Sequence, residues 1–85
     1  MKQFITEYLD NKIKQNEDMI IITFYELRIK YDLSEDETQE FLSLSKIRLE
    51  NMKYQVYFTG AKYEQNGVIK TVQDNELMVA IKEKF

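Results

Sequence analysis

The stretch LSEDETQEFLSLSKIRLENMKYQVYF, residues 33–58, begins with the pattern of a helix and ends with that of a strand. Ser34, followed three residues later by Glu37, matches a capping box, in which each residue's side chain accepts a hydrogen bond from the other's backbone amide. Apolar residues then recur at helical spacing, until the period changes from about 3.6 to 2. The stretch therefore predicts a helix over 35–52 that runs directly into a strand. Its core candidates are Phe41, Leu42, Leu44, Ile47, Leu49 and Met52.

Two more helices are predicted upstream of this stretch. Residues 2–16 carry the apolar stripe of an amphipathic helix, whose members are Phe4, Ile5, Tyr8, Leu9 and Ile13. Residues 24–31 follow a second capping box, formed by Thr23 and Glu26. The residues that this second helix is expected to bury are Phe24, Leu27 and Tyr31. Between the two helices, the β-branched run MIII at 19–22 is either a short edge strand or the buried approach to the second helix.

The last third of the chain predicts antiparallel strands and a hairpin. YQVYFT at 54–59 alternates as a strand, and Asn66-Gly67 is a strong hairpin signal because both turn residues tolerate positive φ. In the arrangement that we favour, 54–59 pairs with 76–81, and residues 60–75 form a long arm with the Asn-Gly turn at its tip. Tyr54, Val56 and Phe58 would then face Leu77, Val79 and Ile81. The alternative is a separate three-stranded meander over 61–65, 68–73 and 76–82.

Composition excludes several classes of site. The 85 residues, 44% of them hydrophobic, are enough for one domain over 1–85 with a real core. There is no cysteine and no histidine, which removes thiolate nucleophiles, the commonest general base and the commonest transition-metal ligand. Glycine-rich phosphate loops are absent, and acid pairs such as Asp36 and Glu40 lack a third ligand. We therefore expect no enzymatic activity, no metal and no cofactor.

The charge and hydropathy patterns limit the partners. The net charge of −3 gives no global basic excess of the kind that DNA binders use to neutralise phosphate, so any basic surface must be local. No segment resembles a signal peptide, and the apolar run at 19–22 is too short to cross a bilayer. We expect a cytoplasmic protein without a membrane partner.

The predicted order of elements is helix, short strand, helix, turn, helix, strand, wing, strand. Two capped helices joined by the short turn YDLS at 31–34, followed by an Asn-Gly hairpin, resemble a winged helix-turn-helix domain. The resemblance covers most of the chain and rests on element order and spacing. It implies an α+β fold of three helices with a C-terminal β-hairpin wing. It also implies binding of double-stranded DNA, with helix 35–52 in a major groove and the wing on phosphate or in a minor groove. The expected role is a transcription regulator or an accessory factor of a phage, plasmid or other mobile element.

Candidate DNA contacts follow from this resemblance. They are Gln39, Ser43, Lys46 and Arg48 on helix 35–52, Lys62, Tyr63, Asn66 and Lys70 in the wing, and Arg28 and Lys30 on the second helix. Amide and cationic side chains read bases or touch phosphate. Around a two-residue turn, residue 63 faces 70 and residue 62 faces 71, so Tyr63 and Lys70 share one face of the ribbon. The alternative is that these charges belong to a solvated helix face and to an exposed hairpin whose lysines discourage edge pairing.

The acids of helix 35–52 support a rival function. Glu35, Asp36 and Glu37 form its first turn, and Glu40 lies one turn further on. They suit the positive end of a helix dipole, but they repel phosphate. The rival is a protein–protein interaction module or inhibitor that offers this acidic surface to a basic protein partner and binds no DNA.

The first helix has a further predicted use. Phe4, Tyr8 and Ile13, joined by Phe85, would form a homodimer interface through helix 2–16. The alternative is that this face covers the core of its own domain.

Overall fold

The computed structural model describes residues 2–83 and confirms the predicted α+β class. Its elements in chain order are α1 (Lys2–Gln15), β1 (Met19–Thr23), a π-helical segment (Tyr25–Lys30), α2 (Glu35–Asn51), β2 (Tyr54–Phe58), β3 (Lys62–Gln65), β4 (Val68–Thr71) and β5 (Glu76–Lys82). The described residues thus contain two α-helices, where three helices were predicted, and the run MIII is a strand. No helix among them is both long and apolar enough to cross a membrane.

The strands form a three-stranded antiparallel sheet and a two-stranded ribbon. The order in the sheet is β1-β5-β2, with β5 in the centre, and β3 pairs with β4. The favoured pairing of β2 with β5 is confirmed, and the separate meander is wrong. In the ribbon, Tyr63 lies opposite Lys70 and Lys62 opposite Thr71, as predicted.

The predicted register between β2 and β5 is wrong by one residue. Tyr54, Val56 and Phe58 lie opposite Lys82, Ala80 and Met78, not opposite Ile81, Val79 and Leu77. Because side chains alternate between the two faces of a strand, a shift of one residue exchanges the faces. Val79 and Ile81 consequently point away from Tyr54 and Val56.

The inner face of the sheet packs against both α-helices. The fully buried side chains of this inner core include Leu9 of α1, Phe41 and Leu49 of α2, and Ile22 and Met78 of the sheet. At one end of this core, the rings of Phe4, Tyr8, Tyr31 and Phe41 meet with centroids 5.1–5.8 Å apart, mostly edge to face. Aromatic pairs in such geometries stabilise a core beyond the area that they bury. This cluster joins α1 to α2.

The hairpin β3–β4 covers the outer face of the same sheet. Tyr63 and Val72 are buried there against Val79, together with the partly buried Met19 and Ile21. The hairpin folds back over the sheet and reaches the far strand, β1. There the side-chain amide of Gln65 donates a hydrogen bond to the sulfur of Met19 at 3.4 Å. The turn itself has φ of 53° at Asn66 and 80° at Gly67, as an Asn-Gly hairpin requires. The molecule therefore has three layers: helices, sheet and hairpin.

The second predicted helix is π-helical and buries less than expected. The amide of Tyr31 donates to the carbonyl of Glu26 at 2.9 Å, which is the i→i+5 bond of a π-helix. Since the wider turn changes which residues share a face, Leu27 is buried, while Phe24 (42%) and Tyr31 (40%) are exposed. The predicted capping box is present: the Thr23 hydroxyl accepts from the Glu26 amide at 3.2 Å, and the Glu26 carboxylate accepts from the Thr23 amide at 3.4 Å.

Candidate functional site

The two predicted halves of a DNA surface, α2 and the hairpin, lie on opposite sides of the sheet. The buried residues of α2 pack on the inner face, and those of the hairpin pack on the outer face. The sheet therefore separates the buried faces of the two elements, on whose common surface the DNA prediction depended. Sequence periodicity predicted β2 and its pairing with β5 but carried no information about the side to which the arm folds.

The N-terminal half of α2 surrounds its candidate contacts with acids. Gln39 and Ser43 are exposed. The Glu37 carboxylate accepts a hydrogen bond from the Ser34 amide at 2.9 Å, and the Ser34 hydroxyl accepts one from the Glu37 amide at 3.1 Å, which confirms the predicted capping box. The bonds from Ser34 hold the pKa of Glu37 below its ordinary value, so its charge persists. A phosphate group near Gln39 would meet this negative charge.

The basic candidates of α2 are paired with acids. The Lys46 ammonium lies 3.5 Å from the Glu50 carboxylate, and the Arg48 guanidinium lies 3.5 Å from Asp10 on α1. Such partly exposed pairs contribute little to stability. They nevertheless reduce the positive potential that these two side chains would offer to phosphate.

The wing candidates differ from one another in exposure. Lys62, Asn66 and Lys70 are exposed, and the Lys70 ammonium donates to the Gln65 side-chain oxygen at 3.3 Å. Tyr63 is only 7% exposed. The expectation that Tyr63 is an accessible contact is wrong, because the hairpin folds back and turns this ring onto the sheet.

The candidates Arg28 and Lys30 lie on the π-helical segment beside aromatic rings. The Arg28 guanidinium lies 5.4 Å from the ring centre of Phe24, and the Lys30 ammonium lies 5.4 Å from that of Tyr31. Both distances are within the range of cation–π attraction. Lys30 also lines a polar cleft with residues of α1.

The side chains proposed for a homodimer are used inside the domain. Tyr8 is 6% exposed, and Phe4 and Ile13 pack against the inner core. Phe85 lies outside the described residues. A dimer through helix 2–16 stays a prediction; Tyr8 is buried in its own domain, and Phe4 and Ile13 are partly buried there.

An apolar groove between α1 and α2 was not predicted. It has a volume of about 440 Å³ and is lined by Ile5, Leu44, Ile47 and Met52, with Thr6, Arg48 and Asn51 at its polar positions. Leu44 is 39% exposed and Ile47 58% exposed, so their prediction as core residues is wrong. On a helix, residues 41, 45 and 49 form one row, and residues 44, 47 and 51 lie on its flank. The row is fully buried, while α1 covers the flank only in part.

The groove could have been predicted from the apolar face of α2, which is wider than one stripe. A helix that packs on one layer needs one apolar stripe. Leu44 and Ile47 fall outside the stripe of Phe41 and Leu49, so they indicated a second neighbour. Residues 2–83 hold no group of three or more acidic, histidine or cysteine side chains placed to bind a metal ion.

Comparisons with protein-family models, with curated proteins and with solved structures find no match to this chain.

Proposed function

We propose that this protein is a protein–protein interaction module whose partner inserts apolar side chains into the groove between α1 and α2. The observation that carries the proposal is the exposure of Leu44 and Ile47 on the flank of α2, beside Ile5 and Met52. Exposed apolar surface that is contiguous and bordered by polar groups is typical of interaction sites. A single exposed leucine needs no explanation, but a groove lined by four apolar residues does.

The polar positions of the groove indicate the chemistry of the partner. Arg48 lines the groove, its ion pair with Asp10 is long at 3.5 Å, and its Nε is buried without a hydrogen bond. The Arg48 side chain is 39% exposed, so a partner carboxylate can reach its guanidinium and form a charge-assisted hydrogen bond. We therefore assign the groove to an apolar segment that carries an acidic residue. The site lies on the flank of α2 and not on its acidic first turn.

Matched surface variants test this assignment. Ile47→Asp places a charge in the groove, and Ile69→Asp places the same charge on the hairpin, where Ile69 is 71% exposed. Partners captured from nuclease-treated lysate are identified, purified and titrated against each variant. We expect Ile47→Asp to weaken binding by at least roughly tenfold, the loss of one apolar anchor, and Ile69→Asp to leave it unchanged. Equal binding by the wild type and Ile47→Asp would refute the groove assignment.

DNA binding by a winged helix is the second candidate. The observation that favours it is the sheet order β1-β5-β2, with α2 directly before β2 and a hairpin between β2 and β5. This order is compatible with the resemblance described above, and a regulatory role on a mobile element would follow from it. The opposite positions of α2 and the hairpin, and the acids around Gln39, weigh against a shared DNA surface.

A low-salt anisotropy titration with mixed duplexes separates the two candidates. A DNA binder shows affinity by tens of micromolar, since even non-specific binders reach roughly 1–100 µM. The variant Lys62→Glu with Lys70→Glu would weaken that binding if the hairpin took part. The interaction module proposed above binds no duplex under these conditions, with or without the substitutions.

A further inference from the structure

The apolar groove has helical walls. Its lining residues from α2 are Leu44, Ile47, Arg48 and Asn51, and those from α1 are Ile5 and Thr6. In the interior of an α-helix, each amide donates to the carbonyl four residues earlier, so these backbone groups are already bonded. At the end of α2, the carbonyl of Arg48 accepts from the amide of Met52 at 3.2 Å. The α2 wall therefore offers a partner side chains and not a ladder of free backbone groups.

This wall selects the conformation of the segment that binds it. An extended segment would place its own amides and carbonyls against apolar side chains, where each unsatisfied group costs free energy. Extended segments bind where the edge of a sheet supplies the missing hydrogen bonds. A helix satisfies its backbone internally and presents only side chains to the groove. The groove therefore favours a helical partner over an extended one.

The length of the groove sets the spacing of the partner's apolar anchors. Leu44 and Asn51 are seven residues apart, which is about 10 Å, or two turns, along α2. Leu44 and Ile47, the exposed apolar residues of this wall, lie one turn apart. A facing helix matches them with two apolar residues at i and i+3 or i and i+4, since these positions share one helix face.

The charge of the groove adds a third element to the partner. Arg48 is the only charged residue among those that line the groove. Its guanidinium presents several N–H donors in a fork, and Asp10 lies 3.5 Å from one of its nitrogens. The side chain is partly exposed, so a second carboxylate can approach the same group. Because Arg48 lies one turn from Leu44, this carboxylate belongs about one turn from the anchor that packs on Leu44.

We propose that the groove binds an amphipathic helix that carries two apolar anchors one turn apart and an acidic residue one turn from them. This inference rests on the proposed function, since it specifies the partner of the same groove. The apolar anchors cover Leu44 and Ile47, and the carboxylate pairs with Arg48. The bound helix extends the helical layer that α1 and α2 form.

Two peptide libraries of equal length and composition test the conformation of the partner. One carries its apolar residues at i, i+3, i+4 and i+7, and the other alternates apolar and polar residues as a strand does. Both are displayed and selected on the 85-residue chain, and the selected peptides are titrated against the wild type and Ile47→Asp. We expect binders from the helical library with a Kd on the order of 10–100 µM, which Ile47→Asp weakens by at least roughly tenfold.

The outcomes separate this inference from the proposed function. Binders that come only from the strand-patterned library and depend on Ile47 would overturn the helix and leave the groove in place as a binding site. If no binder from either library responded to Ile47→Asp, the groove itself would fall, and the helix with it. Ile69→Asp places the same charge on the hairpin and serves as the control, with every affinity unchanged.

Proline and alanine variants of one selected peptide show whether it binds as a helix. At a solvent-facing central position, proline should weaken binding roughly a hundredfold relative to alanine, the equivalent of about 3 kcal/mol in a helix interior. Alanine at that position should leave the affinity unchanged. Equal affinities of the two variants would refute helical binding.

Replacing the acidic residue of the selected peptide by its amide tests the contact with Arg48. The change should weaken binding to the wild type roughly fivefold or more and leave binding to Arg48→Gln nearly unchanged, because a charge-assisted hydrogen bond needs both partners. Lys46→Gln supplies the control, since Lys46 lies on α2 but pairs with Glu50 at 3.5 Å and does not line the groove. Equal weakening in all three proteins would refute the acidic contact.

Discussion

Replacing Tyr63 with alanine tests the three-layer architecture most directly. Its side chain is 7% exposed, packs in the outer cluster with Val72 and Val79, and lies 5.5 Å from the ring of Tyr57. Large aromatic-to-alanine changes in cores cost about 3–5 kcal/mol. Because the outer cluster is small, we expect Tyr63→Ala to cost about 3 kcal/mol. A chain of this length has roughly 4–13 kcal/mol of stability in total, so the variant still folds.

The expected loss is concentrated in the hairpin. Hydrogen exchange reports it through the amides of Gly60 and Val72, which donate to the carbonyls of Val72 and Ala61 at 3.0 Å and 2.9 Å. We expect these amides and those of β3 and β4 to exchange faster in Tyr63→Ala than in the wild type. The amides that join β1 to β5 should keep most of their protection, since the inner core remains. Urea unfolding supplies the total change in stability.

Ile69→Ala provides the control on the same hairpin. Ile69 is 71% exposed, so its truncation is expected to change stability by less than about 0.5 kcal/mol. Two results would contradict this role of Tyr63. In one, Tyr63→Ala lowers the free energy of unfolding no more than Ile69→Ala does. In the other, amide hydrogen exchange accelerates equally in every strand. The opposite placement of α2 and the hairpin would then lose its main support.

Three further predictions concern single polar groups. Because the folded pKa of Glu26 is lowered, its carboxylate contributes stability above its unfolded pKa of 4.5, and this contribution is lost as the pH falls through the folded value. Urea titrations should therefore show the stability gap between the wild type and Glu26→Gln closing with acidification. In thermal unfolding, Ser34→Ala should lower the free energy of unfolding by about 1 kcal/mol, the usual value of a helix cap. Ser43→Ala, at an exposed position in the middle of α2, should leave it almost unchanged. Ser45 has a buried hydroxyl without a hydrogen bond, so calorimetry should show Ser45→Ala to be neutral or stabilising by up to about 1 kcal/mol.

The features that the sequence predicted well are local ones. The Asn66-Gly67 turn fixed the pairing of Tyr63 with Lys70, because a two-residue hairpin determines its own register. The capping box of Ser34 marked the start of α2 for a similar reason, since all of its partners lie within three residues. The pairing of β2 with β5 joins distant segments and was predicted on a different ground, the apolar residues that both strands carry, which gave the correct partner but the wrong register.

The features that were missed depend on contacts between distant segments. Periodicity shows that Tyr63 and Leu44 are apolar, but not whether a layer covers them. The hairpin covers Tyr63 only because it folds back, and α1 leaves Leu44 half exposed because it crosses part of the flank. The polar cleft that Lys30 lines could not be predicted either, because it joins α1 to a segment whose π-helical turn the sequence pattern does not reveal.

The central position of β5 constrains when this sheet can form during biosynthesis. Both neighbours of β5, β1 and β2, precede it in the chain, and neither pairs with the other. Since ribosomes synthesise proteins from the N-terminus, β1 and β2 emerge before either ladder of the three-stranded sheet can close, and both ladders require residues 76–82. Assembly of this sheet is therefore expected to begin only after β5 leaves the exit tunnel, and nascent chains arrested before β5 should remain sensitive to protease.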